Sequence, residues 1–90
     1  MNEVLRLAVE AQANYTGWTE GSRNGKDFLA RMTKTGEAIH VLTGDHSGCI
    51  VWITGSGCCG TEDSIVYAML KADEIAKDHG GWADFPFGSF

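Results

Sequence analysis

Three short runs rich in β-branched and apolar residues follow one another closely: Phe28–Thr33, Glu37–Thr43 and Cys49–Thr54. Only Lys34-Thr35-Gly36 and Gly44-Asp45-His46-Ser47-Gly48 separate them, links of hairpin length that carry glycine. Consecutive strands joined so tightly pair with their neighbours, which predicts a three-stranded antiparallel meander over 28–54. Along the third run Cys49, Val51 and Ile53 share one face, and Ile50 and Trp52 the other. Apolar residues on both faces suit a central strand, or a sheet with cover on each side.

A helix is expected on either side of the meander. From about Asn2 to Asn14, a repeat of 100° per residue places Val4, Leu7, Ala8, Ala11 and Tyr15 in one stripe, with Arg6 and Glu10 opposite; Gly17 ends it. Trp18–Lys26 reads as a turn-rich connection with a tight turn at Asn24-Gly25. The second helix is expected over 62–79, with Thr61 as N-cap, Glu62 and Asp63 at the positive end of its dipole, and Gly80-Gly81 as its stop. Ile65, Ala68, Met69, Ala72, Ile75 and Ala76 form its inward stripe; Tyr67, Lys71, Glu74 and Asp78 face away. Asp73 and Lys77 stand in the favoured order for an ion pair one turn apart. An aromatic tail, 82–90, closes the sequence. The expected fold is a single α+β domain over 1–90: N-terminal helix, three-stranded meander, C-terminal helix packed on the sheet, and tail.

Ninety residues leave room for one hydrophobic core. No apolar run is long enough to span a membrane, and Met1–Glu10 lacks the apolar block of a secretory leader, so a cytoplasmic domain is expected. Twelve acids against seven Lys and Arg give a net charge of −5, which disfavours direct binding to a nucleic acid. The charge is uneven: Glu20–Lys34 is net basic, and Glu62–Phe90 is strongly acidic, suited to a partner that presents Lys and Arg. The three cysteines, an odd number, read as reduced thiols rather than a disulfide framework.

Gly55-Ser56-Gly57-Cys58-Cys59-Gly60 spells G-x-G-x-x-G between an expected strand and a helix, the setting in which backbone amides cradle a pyrophosphate. Against a nucleotide, the third glycine precedes the helix cap, Glu62 and Asp63 would oppose the phosphate, and no later strand could carry a ribose-binding acid. The run reads instead as a flexible strand-to-helix connection. His46, Cys49, Cys58 and Cys59 are four soft ligands, but adjacent cysteines diverge and the knuckle spacing of structural zinc is missing. Asp45, His46 and Cys49 cluster in a hairpin loop rather than a cleft. His40 sits mid-strand, and His79 in the last helical turn. No catalytic, metal or cofactor residue is assigned, and an enzyme is not expected.

Trp82, Phe85, Phe87 and Phe90 are the sharpest candidates for contact with a partner, because aromatics supply large area at small rotamer cost. With Asp84 and the helix carboxylates Glu74 and Asp78 they compose the expected partner-binding set. The competing reading folds the tail back over the sheet face that bears Ile50 and Trp52. In size, acidity, lack of motifs and α-β-β-β-α order, the chain resembles small phage- or plasmid-encoded inhibitors of host defence, such as the anti-CRISPR proteins. The resemblance implies a monomer or homodimer in the host cytoplasm that blocks a site on a large ribonucleoprotein; it transfers no residue roles. The alternatives are a small homodimeric regulatory or structural subunit, and a nucleotide binder using 55–60.

Overall fold

The computed structural model describes residues 2–43, 48–54 and 57–83, with Cys58 and Cys59 described by backbone only. The order is α1 (Glu3–Glu10), β1 (Thr19–Arg23), β2 (Lys26–Met32), β3 (Ala38–Thr43), β4 (Cys49–Ile53), β5 (Gly57–Glu62) and α2 (Ile65–Asp78). The class is α+β, as expected, but the sheet has five strands rather than three. They are antiparallel in the order β1-β2-β3-β4-β5, so each strand pairs with its sequence neighbours.

The two unforeseen strands lie at the edges. Asn24 and Gly25 both adopt positive φ, 54° and 79°, the two-residue hairpin turn whose twist matches that of paired strands. Such a turn needs a strand before it as well as after it. Thr19–Arg23, a segment with few strand-favouring residues, therefore pairs with β2 from Thr19↔Ala30 to Arg23↔Lys26. At the other edge, residues 57–60 of the glycine-rich run expected to be a flexible connection belong to β5. It pairs with β4 from Cys49↔Glu62 to Ile53↔Gly57, with an irregularity between Val51 and Trp52.

α1 stops at Glu10, short of the expected Asn14, because Gln12 turns into the left-handed region at φ 57°. Ala11 and Tyr15 accordingly fall off the stripe and are exposed, while Val4 and Ala8 are fully buried. At its start, Asn2 Oδ1 accepts from the amides of Val4 (2.9 Å) and Leu5 (3.1 Å). Its Nδ2 donates to the carbonyls of Gly21 (3.0 Å) and Phe28 (3.1 Å), so one side chain caps the helix and moors it to the first hairpin.

α2 begins at Ile65, and its N-cap is Ser64 rather than Thr61, which belongs to β5. Ser64 Oγ accepts from the Tyr67 amide at 3.3 Å. The expected stop holds. Gly80 and Gly81 take φ of 82° and 91°, and the Gly81 amide donates back to Ala76 O at 2.7 Å, the closing bond of a Schellman motif.

Both helices pack on one face of the sheet. Val4 and Ala8 of α1, with Ile65, Ala68, Met69, Ala72 and Ala76 of α2, form a single cluster with the alternate strand residues Leu29, Ile39, Val41, Cys49, Val51 and Ile53. The opposite face carries Phe28, Met32, Ala38, His40, Leu42, Ile50 and Trp52, and neither helix lies on it.

Candidate functional site

Three regions hold the side chains from which a function could be built: the outward side of α2, the junction at Trp82, and the open sheet face. On α2 the inward stripe is buried as the periodicity requires, so the opposite side projects into solvent. Tyr67 is 62% exposed and Leu70 53%, with Val66 beside them. Glu74 and Asp78 continue this side toward the C-terminal end, both exposed. Lys71 lies 3.9 Å from Glu74, an exposed pair of small energetic weight. Large apolar side chains and carboxylates thus stand side by side on the outward side of α2.

Trp82 has a different position. Its ring meets Trp18 edge-on at 5.2 Å, and the Arg31 guanidinium sits 4.8 Å above it. The indole Nε1 donates to Asp73 Oδ1 at 2.8 Å, so Asp73 holds the indole. Trp82 bridges Thr33, while the Lys34 amide donates to Gly81 O and the Ala83 amide to Met32 O, both at 2.9 Å. The chain leaving α2 is thereby stitched to the end of β2, and Trp82 packs half-buried against the rim of the core. It lies on the helix-covered side, not over Ile50 and Trp52. Asp84, Phe85, Phe87 and Phe90 lie outside the described residues.

Glu37, in the β2–β3 link, ties that link to the end of α2. Thr33 Oγ1 donates to Glu37 Oε2 at 3.1 Å, Thr35 Oγ1 also bonds it, and His79 Nδ1 lies 3.4 Å from the same oxygen. The hydroxyl of Thr35 above all holds the Glu37 carboxyl below the usual carboxylate range; desolvation opposes it, and the Thr33 hydroxyl adds a lesser lowering. The carboxylate is central and accepts from its neighbours, an arrangement that fastens two elements and provides no nucleophile with a base beside it.

Of the soft ligands, Cys49 is buried in the core at 4% exposure, and burial pushes its thiol pKa up, away from the reactive thiolate. His46 and the side chains of Cys58 and Cys59 lie outside the described residues. Among the described residues no three His, Cys, Asp or Glu side chains converge as a metal site would require. The glycine run enters β5, with Gly60 opposite Val51 and two residues between β5 and α2. Residues 57–60 are therefore not a loop opening directly into a helix, the geometry a phosphate cradle uses.

On the open face the strand register sets Phe28 beside Leu42, Met32 beside Ala38, and His40 beside Trp52. Gly21 lies opposite Phe28, whose ring covers it so closely that a Cβ there would come within 2.4 Å of ring carbons. The Phe28 and His40 rings meet edge-on at 4.9 Å. Trp52 is 46% exposed. These side chains enclose a trough of about 750 Å³ that reaches from Arg23 and Lys26 to Met32 and Gly36. Burial first, then the positive charge of Arg23, lowers the His40 pKa, so the imidazole stays neutral at neutral pH. The apolar pattern on both faces of β4 signalled this surface in the sequence; the contribution of Phe28, Met32 and Leu42 awaited the register.

No helix among the described residues is long and apolar enough to cross a membrane. Compared with family models, curated proteins and solved structures, the chain matches none.

Proposed function

We propose that this chain is a small acidic protein-binding module that acts by occupying a surface of another protein, and that the outward side of α2 makes the contact. The observation that carries this reading is the exposure of Tyr67 and Leu70 on a well-formed helix whose other side is fully packed. A tyrosine and a leucine one turn apart give an apolar centre, and aromatic anchors dominate binding energy at such centres. Glu74 and Asp78 on the same side suit a partner rich in Lys and Arg, and the carboxylates steer its approach. Asp84, Phe85, Phe87 and Phe90 are proposed as a second contribution. Trp82 supports the contact from within the fold, since its indole is bonded to Asp73 of the same helix.

In its narrower form the proposal is inhibition: a phage or mobile-element protein, working in the host cytoplasm, that blocks a site on a defence complex of the CRISPR-Cas kind. Small size and net acidity support that form. Element order no longer does, because the resemblance used three strands where the sheet has five.

The test is capture from host lysate with mass spectrometry, run in parallel for the native chain, Tyr67→Ser/Leu70→Ser, and a chain ending at Ala83. A basic partner retained by the native chain and lost by the double variant, whose circular dichroism is unchanged, supports the reading. Equal capture by all three chains overturns it, as does turnover of a substrate by the isolated protein.

A further inference from the structure

The turn between β1 and β2 carries an inference independent of the α2 surface. It consists of Asn24 and Gly25, set between the paired residues Arg23 and Lys26. Both turn residues are exposed, and both take positive φ, 54° and 79°. Among the described residues nothing lies within 4 Å of the point where a side chain on Gly25 would begin, so that side of the turn is open. A glycine nitrogen also meets the least steric resistance when it turns toward the side chain before it. The chain has two other asparagines, and both are placed differently. Asn2 uses both ends of its side-chain amide, accepting from Val4 and Leu5 and donating to Gly21 and Phe28, while the nitrogen of the next residue, Glu3, donates to Asp27 Oδ2 at 2.8 Å. Asn14 precedes bulky Tyr15, and its Oδ1 accepts from the Thr16 amide at 3.2 Å. The side-chain amide of Asn24 has no hydrogen-bond partner among the described residues. β1 is moreover an edge strand, and an exposed turn at a sheet edge opens locally at small cost.

We propose that Asn24-Gly25 is a modification site, at which the folded chain deamidates in water without an enzyme. The Gly25 nitrogen attacks Asn24 Cγ as the turn opens. A new C–N bond closes a five-membered succinimide, the Cγ–Nδ2 bond breaks, and ammonia leaves with the proton that the Gly25 amide gives up. Water then opens the ring at either carbonyl, which yields aspartate or its β-linked isomer, isoaspartate. Either product adds a negative charge to Glu20–Lys34, the net basic stretch of the chain. Isoaspartate does more, because it inserts a methylene into the backbone of a two-residue turn whose length fixes the register of its strands. The pairing from Thr19↔Ala30 to Arg23↔Lys26 then no longer fits, and Gly21 O moves relative to Asn2 Nδ2, the bond that moors α1 to this hairpin.

The experiment incubates the full chain in warm, mildly alkaline buffer, folded and in parallel unfolded in urea, and follows conversion by peptide mapping with mass spectrometry. In the folded chain, conversion is expected at Asn24 well ahead of Asn2 and Asn14, at a rate within about tenfold of that in urea. The isoaspartate form, separated by chromatography, is expected to show shifted amide resonances across Thr19–Arg23 and at Val4 and Leu5. Asn24→Asp, which carries the same charge on an unaltered backbone, is expected to match the native spectrum outside the turn. Conversion in urea with Asn24 left intact in the folded chain overturns the proposal. So does conversion that begins at Asn2 or Asn14. A native β1 spectrum in the isoaspartate form overturns the loss of register.

Discussion

The two faces of the sheet are built from alternate residues of the same strands, yet they meet different surroundings. On the helix side Leu29, Ile39, Val41 and Val51 are fully buried. One residue along, on the other side, Phe28, Ala30 and Ala38 are buried, but Met32, Leu42 and Ile50 are half-buried and Trp52 stands 46% exposed. Composition does not separate these sets, since both are apolar. Cover does. Five strands span roughly 19 Å across the sheet, and two helices packed side by side cover about 20 Å. One pair of helices therefore closes one face. The helix-covered face holds the core cluster.

Truncation on each face is the most direct way to break that comparison. Ile39→Ala removes fully buried volume from the helix side and is expected to lower unfolding free energy by about 2–5 kcal/mol in denaturant titration. Trp52→Ala, across the sheet, should stay within about 1 kcal/mol. Similar losses at the two positions would show that the open face is covered as tightly as the closed one.

Gly21→Ala probes how the open face is shaped. Its Cβ would collide with the Phe28 ring, which must swing toward the trough, so a loss of about 1–3 kcal/mol is expected together with a changed His40 environment in proton NMR. Unaltered His40 resonances would mean that the ring does not rest on Gly21. Next in size is Trp82→Phe, which removes the indole N–H and leaves Asp73 without that donor. About 1 kcal/mol is expected, with no change in the spectrum of the trough residues.

The smallest effect is on pH dependence. The ordinary imidazole value is 6.5, and in the folded chain His40 lies below it. As pH falls below 6.5 the unfolded chain takes up a proton that the folded chain does not, so the unfolded state binds more protons and stability declines with acidification. His40→Gln is expected to flatten the stability profile in the window just below 6.5. Glu37 acts in the same direction but lower: its carboxyl is held below the reference 4.5, so its contribution is present above that value and lost as pH falls through the folded one. A His40→Gln profile identical to the native one would remove His40 from the account.

Much of this fold is readable along the chain wherever neighbours in sequence are also neighbours in space. The three central strands lie close to their expected bounds, and the alternation read along Cys49–Ile53 is the alternation observed. The α2 stripe is buried at Ile65, Ala68, Met69, Ala72 and Ala76, with Ile75 partly buried beside them, because a 3.6-residue period needs no distant information. The partner-binding set was less accessible. Tyr67 was placed on the outward side from periodicity alone, but its exposure beside Leu70 emerged with the packed helix. Trp82, from sequence either a partner contact or part of a tail folded onto the sheet, meets Trp18, Arg31 and Asp73, residues dispersed along the chain.

By itself, then, the sequence determined a hairpin-linked antiparallel core, the inward side of the long helix and the acidity of the whole. Tertiary structure decided that Thr19–Arg23 and Gly57–Glu62 are strands, that α1 ends at Glu10, and that both helices pack on the same sheet face. The reason is physical: local periodicity records which way a side chain points, whereas an edge strand forms because the strand beside it presents unpaired amides and carbonyls. Which face the helices bury is likewise set by contacts between residues distant in sequence.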